Sequence, residues 1–400
     1  MDRASLNHYQ QIFEYDLQNK VLPFWIEKGT DAQYGGINTC LDRKGNVYST
    51  EKSVWMQGRG GWMFANICNT FGMDERYREF AENAIKFIKN HCIDPTDERL
   101  YFIVGADGAP IRKRRYVFSE YFYAMANAEY YGLTHEEEYL REARKYHAMV
   151  TAIWEDPRND PFKITPKYLP TATPMHGLAN DLVLMLVTRT LRVNDPENRD
   201  HYMQLERRIL KGILELSYNK KLGILLENVG PKGEYIGNLS SGRIINPGHC
   251  LEGVWYMLQE AEELQETLIL ESIEKIYHSA FRYGWDHKHG GLLYFIDAEG
   301  FPPQAYEHDM KLWWVHAEAI ISSIKLYRIT RNEEYWMNFM KLTDYSFDHF
   351  RDEEYGEWYG YLRRDGKPTE PPCKGNVFKG PFHVPRMYCE VIKELNYLKS

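Results

Sequence analysis

Apolar positions in this chain recur at intervals of three and four residues over long stretches. Val254, Leu258 and Ala261 fall on one helical face, as do Ile320, Ile324 and Tyr327. The pattern predicts helices over 5–28, 54–71, 75–92, 116–132, 135–155, 173–193, 198–218, 247–264, 266–285, 312–330, 332–350 and 381–397. Glycine-bearing turns punctuate them: Asp42-Arg43-Lys44-Gly45, Asp107-Gly108, Gly230-Pro231-Lys232-Gly233, Asp297-Ala298-Glu299-Gly300 and Asp365-Gly366. Several follow short aromatic or glycine-rich segments, such as Leu100-Tyr101-Phe102-Ile103 and Trp358-Tyr359-Gly360-Tyr361. A short strand, an Asp-Gly turn and a second strand read as a β-hairpin.

The turns repeat about every 65 residues, with one place in the series held by a degenerate loop near 167–171. A repeated pair of helices means either an open array or a closed ring. Six pairs fill the chain with no linker left over. Open arrays repeat at roughly 33–47 residues, and no Pro/Ser/Gly-rich segment separates two domains. The expected fold is therefore all-α: a single domain over 1–400, an (α/α)6 barrel of twelve helices with short β-hairpins at one end. The funnel at that end is the natural pocket.

Composition narrows the partners. Hydrophobic residues make up 44% and charged residues 26%, enough for a large folded core. The net charge is −8 and no basic run occurs, which disfavours nucleic acid and anionic membranes as partners. No apolar stretch approaches the ~20 residues of a membrane span. The first residues lack a secretory signal, and the six cysteines are scattered without a Cys-x-x-Cys pair. Free thiols in a reducing compartment, and hence a cytoplasmic location, are expected. Aromatic content is high at 14%. It fits a thick helical core, a sugar-stacking cleft, or both.

Titratable groups recur at one phase of the repeat, at the start of alternate helices: Arg59, Glu120, His176, His249, His316 and His383. Each alone has a plain structural reading: a lone histidine near a helix start usually caps or packs, Trp313-Trp314 reads as core, and Arg386 reads as an ion-pair partner. Their convergence at one phase favours a pocket. Zinc could use His249, His316 and His383, but no His-x-x-x-His or His-Glu-x-x-His pair accompanies them. Gly-x-Ser-x-Gly and the phosphate-binding loop are absent, and Gly58-Arg59-Gly60-Gly61 is too short to cradle a phosphate. Glu120, Glu252 and Glu318 could form the carboxylate pair of a glycoside hydrolase, but the histidines would then have no task. Two histidines on opposite walls suit removal of a proton from one face of a carbon beside a carbonyl and its return to the other.

Three segments carry a specific resemblance. They are Asn246-Pro247-Gly248-His249 with Glu252 and Trp255, Lys311-Leu312-Trp313-Trp314-Val315-His316-Ala317-Glu318-Ala319, and Lys379-Gly380-Pro381-Phe382-His383-Val384-Pro385-Arg386. The whole chain resembles the N-acylglucosamine 2-epimerase family, which includes cellobiose 2-epimerases and mannose-type aldose–ketose isomerases. The resemblance implies an (α/α)6 barrel and C2 epimerisation of an open-chain sugar through an enediolate, with no redox cofactor and no metal. It implies His249 and His383 as the acid–base pair and Arg59 at the C1 oxygen. Glu252 would orient a histidine or a sugar hydroxyl, and Trp314, His316, Glu318 and Arg386 would line the pocket. His176, in a position more typical of the cellobiose and mannose branches, leaves the choice of sugar open. The resemblance further implies a homodimer and ATP as an allosteric effector, although no nucleotide motif occurs. An interaction role, as for a mammalian member known as a protease-binding protein, is the non-enzyme alternative.

Overall fold

The long apolar runs become twelve helical rods. They are α1 (Arg3–Asp16, extended through π-helical turns at Leu17–Val21 and Trp25–Gly29), α2 (Val54–Phe71), α3 (Glu75–His91), α4 (Phe118–Thr134), α5 (Glu137–Glu155) and α6 (Leu178–Asn194). Then follow α7 (Arg199–Gly212, extended by Ile213–Ser217), α8 (Pro247–Leu264), α9 (Leu270–Gly284), α10 (Trp313–Thr330), α11 (Glu333–His349) and α12 (His383–Lys399). This is a computed structural model that describes residues 3–113, 117–160 and 175–399. The degenerate loop at 167–171 and the first residues of the helices expected at 116–132 and 173–193 lie outside the described residues.

Two sequence patterns sort the rods into two layers. The even-numbered helices are apolar nearly all round: in α10 every residue from Trp313 to Tyr327 is buried. The odd-numbered helices bury one stripe, such as Phe80, Ala81, Ala84, Ile85 and Ile88 of α3. An all-round apolar helix is stable only when surrounded, so the even helices form an inner ring. Each packs on the next, and α12 returns to α2 to close the circle. One apolar cluster runs through the ring from Leu6 to Leu395. The chain therefore folds as the expected (α/α)6 barrel.

Inner helices pass to outer ones through short turns, whereas outer helices return through long loops. All the long loops thus gather at the N-terminal ends of the inner helices. The turn glycines have the left-handed backbone that an Asp-Gly turn requires, with φ near +84° at Gly45 and +87° at Gly108. The expected hairpins are only partly present. β2 (Ile103–Val104) and β3 (Pro110–Arg112) do form a hairpin. Most ladders instead join neighbouring loops: β1 (Lys52–Ser53) to β2, β4 (His176–Gly177) to β7 (Asn228–Val229), β8 (Ile244–Ile245) to β9 (Ile296–Asp297), and β10 (Lys311–Leu312) to β11 (Tyr361–Leu362). β5 (Tyr218–Asn219) and β6 (Ile224–Leu225) pair within one loop. A bridge from Asp42 to Cys373 joins the first loop to the last.

Sequence reading missed the device that starts five of the six long loops. An Asp or Asn opens a tight turn whose fifth residue has positive φ: Gly35, Glu98, Gly223, Gly290 and Gly356. The amide of each donates back to the carbonyl of Asp31, Asp94, Asn219, Asp286 or Asp352. Buried lysines then staple adjacent loops. Lys52 Nζ donates to Asp31 at 2.7 Å and to the Ala106 carbonyl at 2.8 Å. Lys311 Nζ reaches Asp286 at 3.0 Å and the Arg364 carbonyl of the next loop. The result is a stiff crown around one mouth of the barrel. Among the described residues no helix is long and apolar enough to cross a membrane.

Candidate active site

The crowned mouth leads into a cavity of about 460 Å³ at the N-terminal ends of the inner helices. His249, Trp314 and His383 stand in the first turns of α8, α10 and α12 and all line it. Asn246 caps α8, accepting from the amides of Gly248 at 3.0 Å and His249 at 3.3 Å, with Pro247 pre-set in the first turn. Gly248 is there because of contact: a Cβ on it would lie 2.5 Å from the Trp314 ring. The Trp314 indole therefore presses against α8 and sits between the two imidazoles. Its ring centroid is 5.0 Å from that of His249 and 5.6 Å from that of His383. The two histidines stand on inner helices separated by α10 and share one aromatic neighbour.

The two imidazoles have opposite electrostatic settings. His249 Nδ1 lies 2.8 Å from Glu227 Oε2. Burial pulls this imidazole down, but the Glu227 charge and hydrogen bond outweigh it, so it holds its proton above the ordinary imidazole value. His383 Nδ1 lies 2.7 Å from Glu318 Oε1. Burial, with the Arg386 and Arg59 cations close by, drives His383 well below the ordinary value. The surroundings thus favour the protonated form of His249 and the neutral form of His383. With its Nδ1–H donating to Glu318, His383 is left with a free lone pair on Nε2.

A buried clamp underlies the pair. Arg386 is 1% exposed. Its Nη2 donates to Glu252 Oε1 at 2.6 Å and Glu318 Oε1 at 2.7 Å, and its Nη1 donates to the Tyr256 hydroxyl at 2.6 Å. Tyr256 in turn donates to Glu252 at 2.9 Å, and Trp255 Nε1 donates to Glu318 Oε2 at 2.7 Å. Oxygens of Glu252 and Glu318 and a nitrogen of His383 lie within 4.8 Å of one another, the grouping a metal ion would need. The guanidinium already bonds both carboxylates, so this donor set is filled by an internal cation.

Arg59 is the cation at the cavity with no carboxylate partner among the described residues. Its guanidinium stacks over Phe122 at 4.2 Å and Phe382 at 4.7 Å. Burial lowers it to about 10 against the raising charge of Glu252, which leaves it protonated throughout the physiological range. The neighbouring glycines serve packing: a Cβ on Gly58 would meet the Phe122 backbone at 2.7 Å.

Among the sequence candidates, Arg59, His249, Glu252, Trp314 and His383 are brought to the cavity. Glu318 and Arg386 lie beneath it and hold His383 and Glu252. Three candidates depart from expectation. His316 is completely buried on the side of α10 that faces α11, stacked on Tyr345; it accepts from the Leu292 amide at 3.0 Å and donates to the Leu312 carbonyl at 2.9 Å. Burial pulls it down to about 3, so it is a neutral packing residue. Glu120 is buried against Arg99 at 2.6 Å and the Leu100 amide at 3.0 Å. His176 does not line the cavity; its Nε2 pairs with Asp181 at 2.6 Å. Sequence reading missed Glu227, Tyr256, Tyr294 and Glu307, which also line it, as does Asn246 of the motif around His249. The sole signal for Glu227 was a carboxylate interrupting the apolar segment Ile224–Val229.

Residues 35–378 match the N-acylglucosamine 2-epimerase (GlcNAc 2-epimerase) family model. The chain is 36% identical over 400 residues to the N-acylglucosamine 2-epimerase of Mus musculus, covering 98% of this chain and 93% of the mouse protein. It is 24% identical over 402 residues to the cellobiose 2-epimerase of Dictyoglomus turgidum, covering 96% and 98% of the two chains. The cellobiose 2-epimerase structure from Bacillus thermoamylovorans B4167 superposes with a TM-score of 0.84 at 20% identity, over 97% of this chain and 99% of that one.

Proposed function

Because this chain belongs to the N-acylglucosamine 2-epimerase family and is a carbohydrate epimerase, an isomerase, we propose that it interconverts N-acylglucosamine and N-acylmannosamine at C2. The observation that carries this reading is the imidazole pair on Trp314, one ring paired with Glu227 and raised above the ordinary imidazole value, the other buried beside Arg386 and Arg59 and lowered below it.

The sugar reacts as its open-chain aldehyde. His383 Nε2 takes the C2 proton; the C–H electron pair forms the C1–C2 double bond, and the carbonyl π pair moves onto O1. The product is an enolate of the 2-acylamino aldehyde, or the enediolate where C2 carries a hydroxyl. Arg59 receives the charge on O1, a contribution of roughly 3–4 kcal/mol for a well-placed donor. The protonated His249 then delivers its proton to the other face of C2. Glu318 fixes the His383 tautomer, and Glu227 keeps His249 charged until it donates. One turnover leaves the two rings with exchanged protonation, which is the state that the reverse reaction uses.

The 36% identity to an N-acylglucosamine 2-epimerase, against 24% to a cellobiose 2-epimerase, supports the N-acyl reading over the cellobiose branch. A paired-carboxylate hydrolase is disfavoured because Glu252 and Glu318 are both clamped by one guanidinium and Glu318 does not line the cavity. N-acetylmannosamine, cellobiose and mannose assayed side by side by NMR in D2O test the proposal. The expected result is turnover of N-acetylmannosamine with deuterium at C2 of the product. Faster turnover of either other sugar would overturn the substrate, and protium retained at C2 would overturn the two-base scheme.

A further inference from the structure

A second cavity of about 280 Å³ lies at the opposite mouth of the barrel, among the later turns of α2, α4, α6, α8 and α12. One residue layer separates it from the cavity of the histidines. Arg386 belongs to that layer: it lines the second cavity while its Nη atoms hold Glu252, Glu318 and Tyr256 above.

The polar groups around this space are arranged in a particular way. The cations are committed, Arg189 to Glu260 and Glu263, and Lys393 to Glu390 at 2.9 Å. The Asn66 and Asn69 amides donate to Glu129 Oε1 at 3.1 and 2.8 Å, which leaves their carbonyl oxygens as acceptors. Gln259 makes no side-chain hydrogen bond among the described residues. Trp62 is 6% exposed, and its Nε1–H is favourably placed toward the Glu129 charge yet makes no hydrogen bond of its own.

This inventory selects a chemistry. An anion would face Glu129 and Glu390, and the arginines that line the space, Arg189 and Arg386, already pair with carboxylates, Arg386 keeping only its Nε unpartnered. An apolar molecule would strand the amides without partners. A neutral molecule bearing many hydroxyls supplies both donors and acceptors to Gln259, Asn66, Asn69 and Glu129. The volume of about 280 Å³ falls just below the ~300 Å³ at which ligand pockets ordinarily start, and so suits one sugar ring rather than two.

We propose that this cavity is a second ligand site that binds a neutral monosaccharide or polyol, back to back with the catalytic pocket across Arg386. The site stands independently of the proposed reaction. The two cavities carry separate tryptophans, Trp62 in one and Trp55 in the other, which makes them separately observable. The full-length protein is labelled with 5-fluorotryptophan and titrated with N-acetylglucosamine and, separately, with inorganic phosphate, while the fluorine resonances are followed by NMR. The expected result is a sugar-dependent shift of Trp62 with its own midpoint, no response of Trp62 to phosphate, and loss of the Trp62 response in Gln259→Phe. The Trp55 response in that variant serves as the control for folding. The proposal is overturned if Trp62 stays still through millimolar sugar, if phosphate moves it instead, or if Gln259→Phe leaves its isotherm unchanged. A silent Trp55 in the wild type would count against the catalytic reading and leave the second site standing.

Discussion

Replacing Glu227 by Gln tests the proposed division of labour between the two histidines. The Glu227 carboxylate is 2.8 Å from His249 Nδ1, and the two side chains are 17% and 22% exposed. Gln keeps the shape and an acceptor oxygen but removes the charge. Opposite unit charges 4 Å apart interact by about 4 kcal/mol at an effective dielectric near 20, and a neighbouring charge moves a side chain by about 1–3 pKa units. Screening by the partial exposure places the expected effect near the middle, about 2 units, or about 2.7 kcal/mol. The sign follows from the mechanism. His249 must be protonated to donate, and Glu227 raises its pKa, so wild-type activity is present below that raised value and is lost as pH rises through it. In Glu227→Gln, burial and the Arg59 cation pull His249 down against Glu252 alone, and the alkaline limb of kcat/KM moves to lower pH by about 2 units. At a pH on the wild-type plateau above the new limb the rate falls up to about 100-fold, while at acid pH it changes little. The two working protonation states contain the same number of protons, and the equilibrium constant between neutral epimers does not depend on pH. Both reaction directions must therefore shift together. The assay is kcat/KM against pH, measured by NMR from each epimer. A loss that is the same at every pH would reduce Glu227 to a structural support, and an unmoved alkaline limb would refute the assignment of His249 as the proton donor.

Other perturbations give distinct outcomes. His249→Asn and His383→Asn should each lower epimerisation by about 10²–10⁴-fold. Each variant should still exchange the C2 proton of one epimer with D2O, a different epimer for each; exchange of both epimers by one variant would argue for a single base. Arg59→Gln should cut kcat about 10²–10³-fold with a smaller change in KM, read from initial rates; an effect confined to KM would remove Arg59 from the charged intermediate. Arg386→Met leaves Glu252 and Glu318 buried without their cation, and denaturant unfolding should show a loss of about 3–5 kcal/mol; unchanged stability would mean that the clamp contributes nothing. His316→Leu removes two buried hydrogen bonds and should lower the unfolding midpoint, while the folded fraction keeps its pH profile; a changed profile would return His316 to the chemistry.

The helices, their pairing and the ring were legible in the chain because the 3.6-residue period and the repeat of about 65 residues are local or additive signals. Gly45, Gly108, Gly233, Gly300 and Gly366 marked turns correctly, since glycine takes up positive φ without a steric penalty. The partners of the short strands were not legible. A two-residue strand has no register of its own, so it pairs with whichever loop the ring places beside it, as Lys52–Ser53 pairs with Ile103–Val104.

The same division runs through the site. The sequence by itself determined that His249, Trp314 and His383 open successive inner helices, because helix phase and capping are set by near neighbours. It also placed His316 at that phase, but its position along the helix did not determine which way its ring faces. Only the closed ring decided that His316 looks outward to Tyr345 whereas His383 looks in, that Glu227 reaches His249 from a loop strand, and that Arg386 joins Glu252 to Glu318. These are contacts between residues as many as 134 positions apart. Their burial, which sets one imidazole above its ordinary pKa and the other below it, comes into being only when the last inner helix packs against the first.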